Sequence, residues 1–185
     1  SKYLCERLCI AYAKNYKIPI IITRACNIYG PGQLNLSAII PSLILSAINK
    51  KEFIPRSDGK MTRDYLFIDE WVENLLKISE KNYYNPFYAD IFNFGTNDPK
   101  SVLEISKIIY DKVDPKNTPK IINKFKNIKS SNEIIDQSLS SKKANAAFGF
   151  KVNTNFDDNI INTINWYNKY LWTSYLEFYD LLSLN

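Results

Sequence analysis

Two hydrophobic patterns alternate along the chain. From Ser1 to Tyr16 the apolar residues Leu4, Leu8 and Ala11-Tyr12 recur every three or four positions, with Glu6, Arg7 and Lys14 between them, which predicts an amphipathic helix. Asn15 to Lys17 end it. The next stretch, from Ile18 on, is apolar or β-branched without alternation, is interrupted only by Pro19 and leads into Thr23-Arg24. A run of that kind predicts a strand covered on both faces, as in a parallel sheet flanked by helices. Ala25 to Gly32, ending in Gly-Pro-Gly, follows it and occupies the place just past the strand's carboxyl end where such sheets bind ligands. Helix, short loop and buried strand together make half of a βαβ repeat.

The same reading continues through the chain. Ser37 to Lys50 is apolar almost all round and predicts a buried helix, with Ser37 as cap and Pro41 in the first turn, where its missing N–H costs little. Glu52 to Arg56 reads as extended and Ser57 to Lys60 as a turn. Arg63 to Ile68 feeds Asp69, the expected cap of an amphipathic helix from Glu70 to Ser79. Asn82 to Asp90 reads as loop, Ile91 to Phe94 as a strand stopped by Gly95, and Ser101 to Val113 as a helix. Pro115 to Pro119 is an interruption, Lys120 to Phe125 a short strand or extended piece, and Asn127 to Asp136 a polar loop. Ser140 is the expected cap of a helix ending at Ala147, with Gly149 near its C′ position. Thr154 to Asp157 resembles a capping box opening a helix to about Leu171, and the tail 173–185 is apolar enough for a further turn or two.

Composition narrows the function classes. At 185 residues and 45% hydrophobic the chain can bury a real core, as one domain or two interleaved lobes. The net charge of +5 is spread along the sequence, with a modest concentration in Lys112 to Lys129. That stretch lacks the interleaved aromatics of a nucleic-acid surface, so a phosphate-bearing small molecule is the expected partner and nucleic acid is not. Cys5, Cys9 and Cys26 have no metal-ligand spacing, and the absence of His excludes His-based metal sites and Ser-His-Asp catalysis. Neither a signal peptide nor an apolar run of 18 residues is present, so the expectation is a cytoplasmic protein with no membrane span.

The candidate chemistry lies in Ser1-Lys2, the loop AlaCysAsn at Ala25 to Asn27, Asn35, and Arg63-Asp64-Tyr65. In order, SK, helix, strand, NIYGPG, helix, SDGKMTRDYLFID, helix and NFG resemble the second half of the extended short-chain dehydrogenases, the NAD-dependent sugar-nucleotide epimerases and dehydratases, over residues 1 to 172. Within them NIYGPGQLNLS, NEIIDQSLSSKKANAAFGF and TINWYNKYL look most like the CDP-glucose 4,6-dehydratases. The resemblance implies that Lys2 closes a Tyr-x-x-Ser-Lys signature, holds the nicotinamide ribose and lowers the pKa of that Tyr. It implies that Ala25 and Cys26 hold the carboxamide of NAD. Asn27 and Arg63 are implied contacts of the substrate diphosphate, with Asn35 in the same substrate-binding set. Asp64 and Tyr65 are expected to be structural. Ala38 stands where similar dehydratases carry a Lys or Arg, leaving Arg56, Lys60 and Arg63 as the nearby cations.

The fold class expected is α/β: the last strands of a Rossmann-like parallel sheet with a small, mostly helical substrate-binding lobe. Residues 1–30 and 60–97 are assigned to the first, 31–59 and 98–172 to the second, and 173–185 to a tail. The implied function is the carboxyl-terminal part of a sugar-nucleotide 4,6-dehydratase, inactive alone, that binds a nucleotide-sugar and uses NAD once joined to an absent amino-terminal half. Homo-oligomerisation is expected of the complete enzyme. The alternatives are part of a 4-epimerase, or a non-catalytic remnant that binds a phosphate ligand or a partner.

Overall fold

The computed structural model describes residues 1–80, 89–126, 134–152 and 155–182, the stretch 171–182 as helical backbone alone. The elements are α1 (Lys2–Tyr16), β1 (Ile21–Ala25), β2 (Asn27–Tyr29), α2 (Ile39–Ile48), β3 (Thr62–Arg63), β4 (Tyr65–Phe67), α3 (Ile68–Glu80), β5 (Asp90–Phe94), β6 (Lys100–Ser101), α4 (Val102–Val113), a short 3₁₀ turn at Pro115–Asn117, α5 (Thr118–Lys126), β7 (Asp136–Gln137), α6 (Lys142–Phe148) and α7 (Phe156–Leu182). The fold is α/β. The chain forms two compact units, Ser1–Ile28 with Asp64–Asp98 and Ser138–Asn153, and Tyr29–Arg63 with Pro99–Gln137 and Thr154–Asn185. Ser138–Asn153 falls in the first unit.

In the first unit β1 and β5 pair in parallel, Ile21 opposite Asp90 and Ala25 opposite Phe94. Its core is aromatic. Trp71 and Phe150 meet Phe94 edge-on at 5.0 and 5.1 Å, and Phe148 meets Phe92 at 4.7 Å, a geometry that suits the ring quadrupoles. Leu66, Ile78 and Ala144 complete it. Gly149 ends α6 in the left-handed region at φ 70°, as its sequence place predicted. The cap of α6 is Ser141 and not Ser140. Among the described residues β1 is only partly covered, and Arg24 on it is exposed and paired with Glu6 at 2.6 Å. The stripe expected to face inward on α1 is also exposed: Leu4 is 65% and Leu8 59% accessible, and only Ala13 is buried.

The second unit packs α2 on α4, and α4 on α5 and α7. Ile40, Leu43 and Ile44 of α2 and Ile105 and Ile109 of α4 are fully buried with Ile160 and Tyr167 of α7. β3 lies between β6, antiparallel to it, and β7, parallel to it. Helix α2 begins at Ile39 with Ala38 at its N-cap, because the Ser37 hydroxyl is turned to Asn35 Oδ1 at 2.7 Å. Lys120 to Phe125 is helical and not extended: Thr118, Ile121 and Phe125 share the buried face of α5, and Pro119 sits in its first turn. The adjacent isoleucines Ile121 and Ile122 had masked that spacing. Asp69 lies inside the first turn of α3, and α7 continues through the expected tail to Leu182. Most of the expected loops 82–90 and 127–136, and Thr154 of the expected capping box, lie outside the described residues.

Candidate functional site

In the first unit the site is the loop that leaves the carboxyl end of β1. The Cys26 amide donates to the Phe94 carbonyl at 2.9 Å and the Asn27 amide to the Asp64 carbonyl at 3.1 Å, so this backbone is held from both sides. Asp64, 1% accessible, accepts the Thr96 amide at 3.0 Å and the Thr96 hydroxyl. The Ser141 hydroxyl accepts the Gly95 amide at 2.7 Å and donates to the Gly95 carbonyl at 2.5 Å. Asp64 therefore does the structural work expected of it, fastening the ends of β4 and β5. Burial first, and the Asp64 carboxylate second, push the Cys26 thiol up to about 12. That thiol stays protonated and is no nucleophile. Ala25 and Cys26 are half-buried with small side chains, and Asn27 is exposed. Lys2 is exposed in the first turn of α1.

The second unit holds Asn35 and Arg63. The Arg63 guanidinium is occupied: Nη1 donates to the carbonyls of Thr62 at 2.8 Å and Ile134 at 2.9 Å. To meet a phosphate through Nη1 it has to leave those carbonyls. Asn35 accepts the Ser37 hydroxyl, and Ser37 lines a cavity of about 410 Å³. Its walls include Ile39, Phe53, Ile54, Pro55 and Phe125, with the hydroxyls of Ser42, Ser46 and Ser57, the exposed Arg56 and the exposed Glu52 among them. Aromatic and aliphatic side chains interleaved with hydroxyls, a guanidinium and, engaged by Lys124, a carboxylate make a mixed lining of the kind that holds a heterocycle with polar substituents. Phe125 of its wall lies close against Gly59, at φ +74°, where a Cβ would stand 2.6 Å from Cδ1 of Phe125. Ser42, Phe53 and Ile54 carried no chemical motif in the sequence, and the one signal was the serine spacing Ser42 and Ser46 on an otherwise apolar helix. Among the described residues no group of His, Cys, Asp or Glu could hold a metal ion, and no helix is long and apolar enough to cross a membrane.

Known proteins resemble this chain in sequence and in fold. The dTDP-D-glucose 4,6-dehydratase of Dictyostelium discoideum is 39% identical over 109 residues, 59% of this chain and 24% of that protein. The dTDP-D-glucose 4,6-dehydratase of Bos taurus is 27% identical over 168 residues, 90% of this chain and 46% of that one. Among solved structures, UDP-glucose 4-epimerase from Thermotoga maritima with UDP-glucose superposes at TM-score 0.74 with 21% identity, covering 92% of this chain and 52% of that one. The dTDP-glucose 4,6-dehydratase from Bacillus anthracis in complex with NAD superposes at 0.70 with 23% identity, covering 89% and 49%. These two structures establish the fold. The chain spans about a quarter to a half of the length of these relatives. Residues 1–95, which contain β1, its loop and β5, match the NAD dependent epimerase/dehydratase family, and the chain belongs to that family.

Proposed function

We propose that this chain is the carboxyl-terminal part of an NAD-dependent sugar-nucleotide 4,6-dehydratase and that its own task is to bind the nucleotide end of the substrate. The observation that carries this is the cavity of about 410 Å³ in the second unit, with aromatic and aliphatic side chains, serine hydroxyls, Arg56, and a Glu52 that is paired with Lys124. The first unit is proposed as the remnant of a dinucleotide-binding domain and the second as the substrate lobe. Relatives named for dTDP and UDP sugars support the class of substrate, a nucleoside diphosphate hexose, and CDP-glucose stays among the nucleotides to be tested. A 4-epimerase is the second reading, favoured by the superposition on a UDP-glucose 4-epimerase.

The residues present fit the nicotinamide end of NAD. The half-buried Ala25 and Cys26 leave room beside a backbone that is fastened to Phe94 and Asp64, and Lys2 offers an exposed ammonium for the ribose. Bound there, NAD would supply the hydride acceptor for oxidation at C4 of the hexose and return that hydride at C6 after water is lost. Lys2 would hold the ribose hydroxyls and favour the ionised form of a tyrosine base. The phosphates of NAD have no partner here, since the five glycines form no glycine-rich strand-turn-helix. Asn27 and Arg63 are proposed to meet the substrate diphosphate, Arg63 after release from Ile134.

Calorimetric titration of the chain with dTDP, UDP and CDP tests the reading. Saturable binding of at least one, weakened about tenfold by Arg56→Gln through the loss of a charged hydrogen bond, is the expected result. Absence of binding by all three would overturn it.

A further inference from the structure

The basic residues of α5 take no part in the nucleotide cavity. Lys120 and Lys124 line, with Lys50 and Lys51 at the end of α2, a separate cavity of about 110 Å³ in the second unit. Its inner wall is Tyr110 of α4, 2% accessible, whose hydroxyl has no hydrogen-bond partner among the described residues. Burial, and then the Asp114 carboxylate, push this phenol up to about 12, so it is a neutral hydroxyl donor at any physiological pH. A buried hydroxyl left without a partner is destabilising, and an acceptor that reaches it from the cavity removes that cost.

The neighbouring carboxylates are already engaged. Asp114 accepts the Asn117 amide at 2.6 Å, and Glu52 is paired with Lys124. Among the described residues Lys50, Lys51 and Lys120 are in no ion pair, so the four ammonium groups outnumber the two carboxylates around one unpaired hydroxyl. Excess positive charge with a buried donor calls for an anion rich in acceptor oxygens. Size limits it further. The cavity's volume is about a quarter of that of the nucleotide cavity, which suits a small anion better than a nucleoside. A single-stranded nucleic acid needs stacking platforms, and no exposed aromatic residue lines this cavity.

We propose that this cavity is a second site, distinct from the nucleotide cavity, that binds a small phosphate anion, orthophosphate or pyrophosphate, with Tyr110 donating a hydrogen bond and Lys50, Lys51 and Lys120 supplying the charge. The test is a titration of the full chain with sodium pyrophosphate, and in a second arm with sodium phosphate, followed by two-dimensional amide NMR and calorimetry. Expected are saturable shifts clustered at residues 50–52 and 110–124, an affinity that falls as salt is added, and a loss of about tenfold in Tyr110→Phe, which keeps the ring and removes only the donor. The arm with the tighter binding identifies the anion. Lys120→Gln, at an exposed position, should weaken binding in the same direction and carries the test if Tyr110→Phe fails to fold. No saturable binding at millimolar anion, shifts confined to Arg56 and Ser57 in the larger cavity, or full affinity in both variants would each overturn the proposal. Displacement of the bound anion by a short single-stranded RNA at lower concentration would overturn it as well, in favour of a nucleic-acid surface.

Discussion

Gly95 shows how tightly the end of β5 is fitted to its neighbours. A Cβ there would stand 2.3 Å from the Leu139 carbonyl oxygen and 2.5 Å from Asp64 Oδ2, so Gly95→Ala has to push a backbone segment away from a buried carboxylate. Its expected cost is about 1–3 kcal/mol of stability, read from the urea midpoint. An unchanged midpoint would show that the Asp64–Thr96–Ser141 fastening yields easily. Cys26 gives a second residue-scale prediction. Its thiol is raised from 9.0 to about 12, so between those values the unfolded chain has lost a proton that the folded chain keeps. Stability therefore falls as pH rises through that window, and this group contributes no pH dependence well below pH 9. Tyr110 and Tyr167, raised from 10.0 to about 12, act with the same sign from pH 10 upward. Cys26→Ser should flatten the decline between pH 9 and 10 in thermal unfolding. At pH 8 a thiol reagent should modify the exposed Cys5 well before Cys26.

At the scale of elements the start of α4 is the most completely specified. Ser101 accepts the Glu104 amide at 3.1 Å, and the Glu104 carboxylate accepts the Ser101 amide at 2.7 Å, so two otherwise orphaned donors are satisfied reciprocally. Ser101→Ala is expected to cost about 1 kcal/mol, measurable as a shift of the denaturation midpoint. Helix α5 shows the opposite case. Its buried face is one residue per turn, Thr118, Ile121 and Phe125, and what holds it is Phe125 seated under Gly59 and 6.1 Å from Phe53. Those partners are distant in sequence, and no local signal announces them.

For the whole molecule the exposed stripe of α1 is the consequential feature. Tyr3, Leu4, Leu8, Tyr12 and Tyr16 are all more than half accessible, a contiguous apolar surface of the kind that drives association. The chain alone is expected to self-associate in sedimentation experiments, and Leu4→Glu with Leu8→Glu should shift it toward monomer. Titration of the same chain with NAD is expected to give no binding at micromolar cofactor, because the phosphates of a dinucleotide need backbone amides at a glycine-rich turn. Clear binding would require a cofactor site built from other residues.

The order of elements in the first unit, the buried β5, the capped α4 and the Gly149 terminator were legible in the sequence, because period, capping residues and left-handed glycines act within a few residues of themselves. The motif SDGKMTRDYLFID likewise carried the family, and with it the structural role of Asp64. What the tertiary structure decided are the facts that depend on a distant partner. The stripe on α1 was legible, but its exposure depends on what packs against it. Arg63 was legible as a cation, yet whether its guanidinium meets a phosphate or the Ile134 carbonyl depends on a segment 71 residues away. Tyr110 read as one more core residue of an amphipathic helix. Only the packing of α4 against α5 and α2 leaves its hydroxyl unpaired beside four lysines, since hydrogen-bond satisfaction belongs to the assembled core and is invisible in the order of residues.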